Sequence, residues 1–277
     1  MPRKILFVLL VIFIAQLSHA LVETASLKNF LMWQEPNSTY DNWISHIAEG
    51  IATQNYNLYA PYDRQTNGFG DFRVPNATDM TNWGYITEAL LIPDVVLAQS
   101  LIDQYGYPYQ AVQFNDTDSG RTYYMLRELP NYQYYDDNGT IDPYDDEIGA
   151  FEYGWGLFIY NPASTRPIII TVPHPCDDYP TPAVGYETFQ LWNAKFLLIA
   201  GAGREVKWTN VPPYTNAKSL SDPTRVANHP YNKSYQMFCD HIRNEFGMRE
   251  LSVQLHTYDW NRHVGHANIQ ISAGNNR

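Results

Sequence analysis

The sequence predicts an α/β fold with a mixed, largely parallel central sheet flanked by helices, and three observations predict it. First, residues 167–172 form a continuous β-branched run and 196–200 a wholly apolar one, and 251–255 is read with them as a third, the pattern of strands buried on both faces of a parallel sheet. Second, a helical segment lies between each successive pair. Third, strand–helix–strand–helix–strand at these lengths closes through right-handed crossovers, which make neighbouring strands parallel. In the first helical segment Thr181 is the expected N-cap, with Pro182 at the first helical position. In the second, Tyr231, Tyr235, Phe238, Ile242 and Phe246 stack on one face, and Gly247 ends the helix.

The N-terminal half follows a different pattern. Arg3 and Lys4 precede eleven apolar residues, Ile5 to Ala15, and Ser18-His19-Ala20 supplies a small-residue exit, so residues 1–20 are expected to be a secretory signal peptide. The apolar run would span only about 16 Å as a helix, short of a bilayer core, and no membrane span is expected once the leader is removed. Residues 21–277 are then one domain, with 21–148 an N-terminal portion of no evident match. Trp43, Ile44, Ile47 and Ile51 recur at helical spacing, and a second helix is expected from Pro93 to Gln104, before Gly106. Residues 109–114, 121–127 and 153–160 read as strands that extend the sheet antiparallel. Residues 130–147, dense in Asp, Asn and Tyr, read as a long exposed loop.

Composition narrows the function classes. Of 277 residues, 29 are acidic and 18 basic; loss of the leader removes two positive charges and no negative one, so the net charge of −11 becomes −13. No Lys/Arg-rich stripe offers a nucleic-acid surface, and nucleic acid is excluded as a partner. Cys176 and Cys239 could pair in an oxidising compartment, but two cysteines are no disulfide scaffold. Sequons begin at Asn37, Asn76, Asn115, Asn138 and Asn232, and would make a glycoprotein of a chain exported by a eukaryotic cell.

Ligands of open α/β sheets bind beyond the carboxyl ends of the strands, so the residues that follow each strand are the candidates. After the first run comes His174-Pro175-Cys176-Asp177-Asp178, after the second Gly201-Ala202-Gly203-Arg204-Glu205, and after the third His256-Thr257-Tyr258-Asp259. Two imidazoles and a carboxylate are the ligand set of a catalytic zinc, which keeps one position open. His174 and His256 supply the imidazoles; Asp177, Asp178 and Glu187 compete for the carboxylate. Glu187 enters because it shares a helical stripe with Ala183, Leu191 and Ala194, and a carboxylate on a core-facing stripe needs a partner. Arg204 could clamp a substrate carboxylate bidentately or pair with Glu187. The Gly201–Gly203 turn lacks the third glycine of a dinucleotide fingerprint, and Asp116-Thr117-Asp118-Ser119-Gly120 lacks the closing Glu of a calcium loop and reads as a hairpin turn. Cys176 and His174 are too close along one strand end to act as nucleophile and base.

The segment Val172-Pro173-His174-Pro175-Cys176-Asp177-Asp178-Tyr179-Pro180-Thr181, followed by Leu197-Leu198-Ile199-Ala200-Gly201-Ala202-Gly203-Arg204, resembles the zinc-dependent hydrolase superfamily of carboxypeptidases, aspartoacylases and N-formylglutamate amidohydrolases. The resemblance covers roughly residues 153–256 and implies a phosphorylase/hydrolase-like sheet. It also implies zinc on His174, on Asp177, Asp178 or Glu187, and on His256, with Arg204 anchoring a substrate carboxylate. Only 21 residues follow His256, so Asp259 or an upstream acid would serve as base. The expected activity is that of a secreted zinc amidohydrolase or carboxypeptidase-like enzyme, acting on a small-molecule or peptide substrate that bears a carboxylate. The second expectation is a non-catalytic secreted protein that binds glycan or peptide on the same scaffold; a carboxylate-pair glycosidase ranks last.

Overall fold

The computed structural model describes residues 21–32, 42–47, 71–136, 147–178, 180–204, 206–209 and 218–257. The expected leader, Ile51, Glu205, Asp259, and the sequons at Asn37 and Asn138 lie outside the described residues.

The chain opens with β1 (Leu21–Ala25), α1 (Leu27–Leu31) and a single 3₁₀ turn (Trp43–His46), followed by α2 (Ala77–Leu91) and α3 (Val95–Tyr105). Next come β2 (Tyr109–Asp116), β3 (Thr122–Glu128), β4 (Asn131–Asp136), β5 (Glu147–Ala150) and β6 (Leu157–Tyr160). The C-terminal part runs β7 (Ile168–Val172), α4 (Thr181–Leu191), β8 (Phe196–Ile199), β9 (Trp208–Thr209), β10 (Lys218–Ser219), α5 (Pro230–Phe246) and β11 (Leu251–Gln254). Seven strands form one sheet in the order β1-β2-β3-β6-β8-β7-β11. The mixed α/β sheet that the sequence predicts is therefore present. Its parallel block is β8, β7 and β11, with β1 parallel to β2 at the far edge; β2, β3, β6 and β8 are joined antiparallel.

Period-two alternation divides the side chains into two cores. Leu157, Ile159, Ile170, Val172, Leu197 and Ile199 face α1, α4 and the 3₁₀ turn, while Phe158, Ile169, Phe196 and Leu198 face α2, α3 and α5. Phe196 of β8 stacks on Phe238 of α5 with ring centroids 4.1 Å apart. Cys176 lies in the first core and Cys239 in the second, so the sheet stands between them and the two do not pair.

Four expectations on elements need correction. The pattern at Trp43, Ile44 and Ile47 gives only the 3₁₀ turn, capped by Asn42. The loop expected at 130–147 instead contains β4 and β5, paired antiparallel, with 137–146 outside the described residues. Thr181 is the first residue of α4 and not its cap; Pro180 holds the cap position without a side-chain bond. The stripe expected to face the core does not: Glu187 is exposed and Leu191 is 80% exposed, only Ala183 of the three packs partly against the core, and Gly185, Tyr186 and Phe189 face the sheet. Unpredicted α2 carries a capping box in which Asn76 and Asp79 each accept from the other's backbone N–H.

Candidate metal centre

Register brings the candidates to one rim. Val172 pairs with Ile199 and Thr171 with Gln254, so β8, β7 and β11 end nearly level. The ladder extends one step further, with Ala200 N–H donating to Val172 O and Leu255 N–H to Thr171 O. His174 therefore leaves β7, the Gly201–Arg204 turn leaves β8, and His256 leaves β11, all on the carboxyl side. A close approach sets the height of α4 behind β7: a Cβ on Gly185 would lie 2.7 Å from Val172 Cγ2. The turn after β7 closes on itself, with Asp178 N–H donating to His174 O and Thr181 N–H to Asp178 O.

Asp178 is the carboxylate at the centre. Its Oδ2 is 3.0 Å from His174 Nδ1 and 2.7 Å from His256 Nδ1, and the two imidazole rings are 5.0 Å apart. His174, Asp178 and His256 each offer one ligand atom within 4.8 Å of the others, a group that could hold a metal ion. Asp177, three after His174, faces away into Arg204, whose Nε lies 3.1 Å from Asp177 Oδ1 and whose backbone N–H donates to Oδ2. Arg204 also reaches Asp178 Oδ1 at 3.4 Å. Arg204 thus pairs with the two aspartates of the β7 turn and not with Glu187. Glu187 stands outside the ligand group, and Asp259 lies outside the described residues.

A residue that sequence reasoning missed completes the arrangement. Asp222, 1% exposed, holds His174 Nε2 at 3.0 Å through Oδ1. Its carboxylate also accepts from Thr224 N–H and Oγ1 and pairs with Arg225 Nε at 3.1 Å. The loop is strapped to α5 by Asn232, whose Nδ2 donates to Pro223 O and Val226 O, and to the β8 turn by Ser221 Oγ donating to Gly203 O. In the sequence 48 residues separate Asp222 from His174, and no periodicity ties the two.

The electrostatics follow from burial and charge balance. Burial pushes the His174 imidazolium towards losing its proton, but hydrogen bonds and charge from Asp178 and Asp222 together outweigh it and raise its pKa to about 9. Burial raises the Asp222 carboxyl, yet the His174 and Thr224 bonds prevail and bring it down to about 2. For Asp178 burial is likewise outweighed by the two histidines, and its pKa falls below the usual range. Burial keeps Asp177 above it in spite of Arg204. Asp177, Asp178 and Asp222 face the guanidinium groups of Arg204 and Arg225, leaving the cluster one positive charge short of balance unless an imidazole is protonated or a cation joins it.

Comparison of the chain with protein-family models, with curated proteins and with solved structures finds no match. The donor chemistry itself fits a metal. Two imidazole nitrogens and a carboxylate oxygen converge, and the other nitrogen of His174 rests on a buried carboxylate, the outer partner that fixes the ring of a ligating histidine.

Proposed function

We propose that this chain is a secreted zinc-dependent hydrolase that cleaves an amide or peptide bond in a substrate bearing a carboxylate. The observation that supports this reading is the meeting of His174, Asp178 and His256 at the carboxyl rim of β8, β7 and β11, with Asp222 behind His174. His174, Asp178 and His256 would hold the ion. Zinc in such a site polarises a carbonyl and makes a nucleophile of water at neutral pH. Asp222 keeps the Nε2 proton of His174 in place and so turns Nδ1 towards the ion. Arg204 fixes the orientation of Asp178.

Because Arg204 is engaged by Asp177 and Asp178, the substrate carboxylate goes to other cations. Lys233 lines a cavity of about 500 Å³ beside the Asp222 loop, together with Arg225, which is already paired with Asp222, and with Met80, Thr224, Asn232 and Gln236. No acidic side chain lines it, and the Lys233 ammonium has no ion-pair partner among the described residues. A carboxylate fits that lining.

A specific observation favours a second reading, a non-catalytic binding protein: both nitrogens of His174 already find carboxylates at 3.0 Å, so a proton alone satisfies the cluster. Metal analysis of the purified protein separates the two. Stoichiometric zinc in the wild type, lost in His174→Ala/His256→Ala, together with hydrolysis of N-acyl acidic amino acids that a Lys233→Ala variant slows through KM, is expected of the enzyme. No bound metal after dialysis against zinc leaves the binding protein.

A further inference from the structure

We infer that Asn76 is an N-glycan acceptor of this protein and that the sequon at Asn232 is silent, its amide serving as a strap for the Asp222 loop. The sequence alone treats the two as equal: Asn76-Ala77-Thr78 and Asn232-Lys233-Ser234 both satisfy the acceptor pattern. The structure separates them by what each amide nitrogen does.

Glycan transfer joins Asn Nδ2 to the anomeric carbon of a lipid-diphosphate-linked oligosaccharide. The bond from that carbon to the diphosphate oxygen breaks, the lipid diphosphate leaves, and the amide gives up one proton. The modified amide keeps its carbonyl oxygen and a single N–H. At Asn76 the structure uses only the oxygen: Oδ1 accepts from Asp79 N–H at 2.9 Å as the cap of α2, and Nδ2 has no partner among the described residues. Asn76, Ala77 and Thr78 are all exposed. A glycan on Nδ2 therefore leaves the cap intact and extends into solvent.

Asn232 is the reverse case. Nδ2 spends both hydrogens, donating at 2.7 Å to Pro223 O and at 2.8 Å to Val226 O, and a glycan would remove one donor and place sugar against the loop. The hydroxyl of its sequon is also committed, since fully buried Ser234 accepts from Trp83 Nε1 at 2.8 Å and contacts Thr87 Oγ1. Transfer precedes folding, so a chain modified at Asn232 would have to fold without the strap and without that core contact. Asn115 is left out of the comparison: it donates once, to Thr24 Oγ1, and a substituted amide retains that N–H.

The test is site-resolved mass spectrometry of the full chain secreted by a eukaryotic cell, once with its own leader and once with a heterologous one. Enzymatic deglycosylation, which converts a glycosylated Asn to Asp, marks each acceptor. A glycan at Asn76 with Asn232 unmodified is the expected result, and Asn76→Ser, which keeps a capping oxygen, should lose that glycan with no change in melting temperature. An unmodified Asn76 behind the heterologous leader, or a glycan at Asn232 in natively folded protein, overturns the inference. A glycan seen only with the heterologous leader supports the acceptor and counts instead against residues 1–20 as a signal peptide, so the two are judged apart.

Discussion

Asp222 shows how much a single buried side chain can decide. Both ring nitrogens of His174 meet a carboxylate at 3.0 Å, and in the proposed metal site Asp222 would hold the proton on Nε2 while Nδ1 turns to the ion that it shares with Asp178. On the proposed zinc reading, Asp222→Asn should weaken metal binding roughly 10- to 100-fold, the usual cost of losing an outer partner of a ligating histidine. A competition titration against a chromophoric chelator measures it, and an unchanged affinity would mean that Asp222 serves the loop alone. His174 and His256 were legible because each closely follows a strand that the sequence announces. The choice among Asp177, Asp178 and Glu187 was not legible: adjacent turn residues point in different directions, and only the partners, Arg204 for Asp177 and two imidazoles for Asp178, distinguish them.

At the scale of elements, α4 shows what periodicity can and cannot say. Its start follows from the sequence to within a residue, yet its inward face does not, because its apolar residues fall on more than one side. The face is set by close approach: Gly185 sits where any side chain would meet β7. Gly185→Ala should cost about 1–3 kcal/mol, the range for overpacking a filled core, and should lower zinc affinity as well, since β7 carries His174. Chemical denaturation with and without zinc measures both; a neutral effect would show that α4 can slide. By contrast, α5 is read correctly from its apolar stripe to Gly247, in the left-handed conformation at φ 66°. Its polar outer face left a single way to dock. Helix α2 escaped notice because its buried face combines Trp83, Gly84, Ile86, Thr87 and Leu90 with polar neighbours, and its cap lies in a run that reads as loop.

For the molecule as a whole, burial of ionisable groups sets the response to pH. His174, at about 9 in the metal-free fold, lies above an unfolded value of about 6.5, so its contribution is fully present below pH 6.5 and is lost as pH rises through 9. Glu128, enclosed by β3 and the Tyr153–Trp155 backbone, is pushed up to about 8 by burial, against the hydrogen bonds it accepts, and loses its contribution as pH rises from about 4.5 to 8. Asp222, at about 2, acts in the other direction, with stability present above about pH 4 and lost as pH falls through 2. Metal-free protein should therefore melt at lower temperature at pH 9 than at pH 6, and Glu128→Gln should flatten the slope between pH 5 and 8. Calorimetry across that range is the check; a melting temperature that climbs with pH would overturn the assignment.

The sequence by itself determined six of the seven segments that enter the sheet, missing β1, that the last three of them run parallel, and that two histidines follow strand ends, because strand composition and helix periodicity are local properties. Only the tertiary structure decided the strand order, the carboxylate that meets both histidines, the arrival of Asp222, and the separation of the two cysteines by the sheet. Those outcomes depend on register and on which side chains are forced into burial together, and residues 48 or 78 positions apart leave no local trace of that meeting.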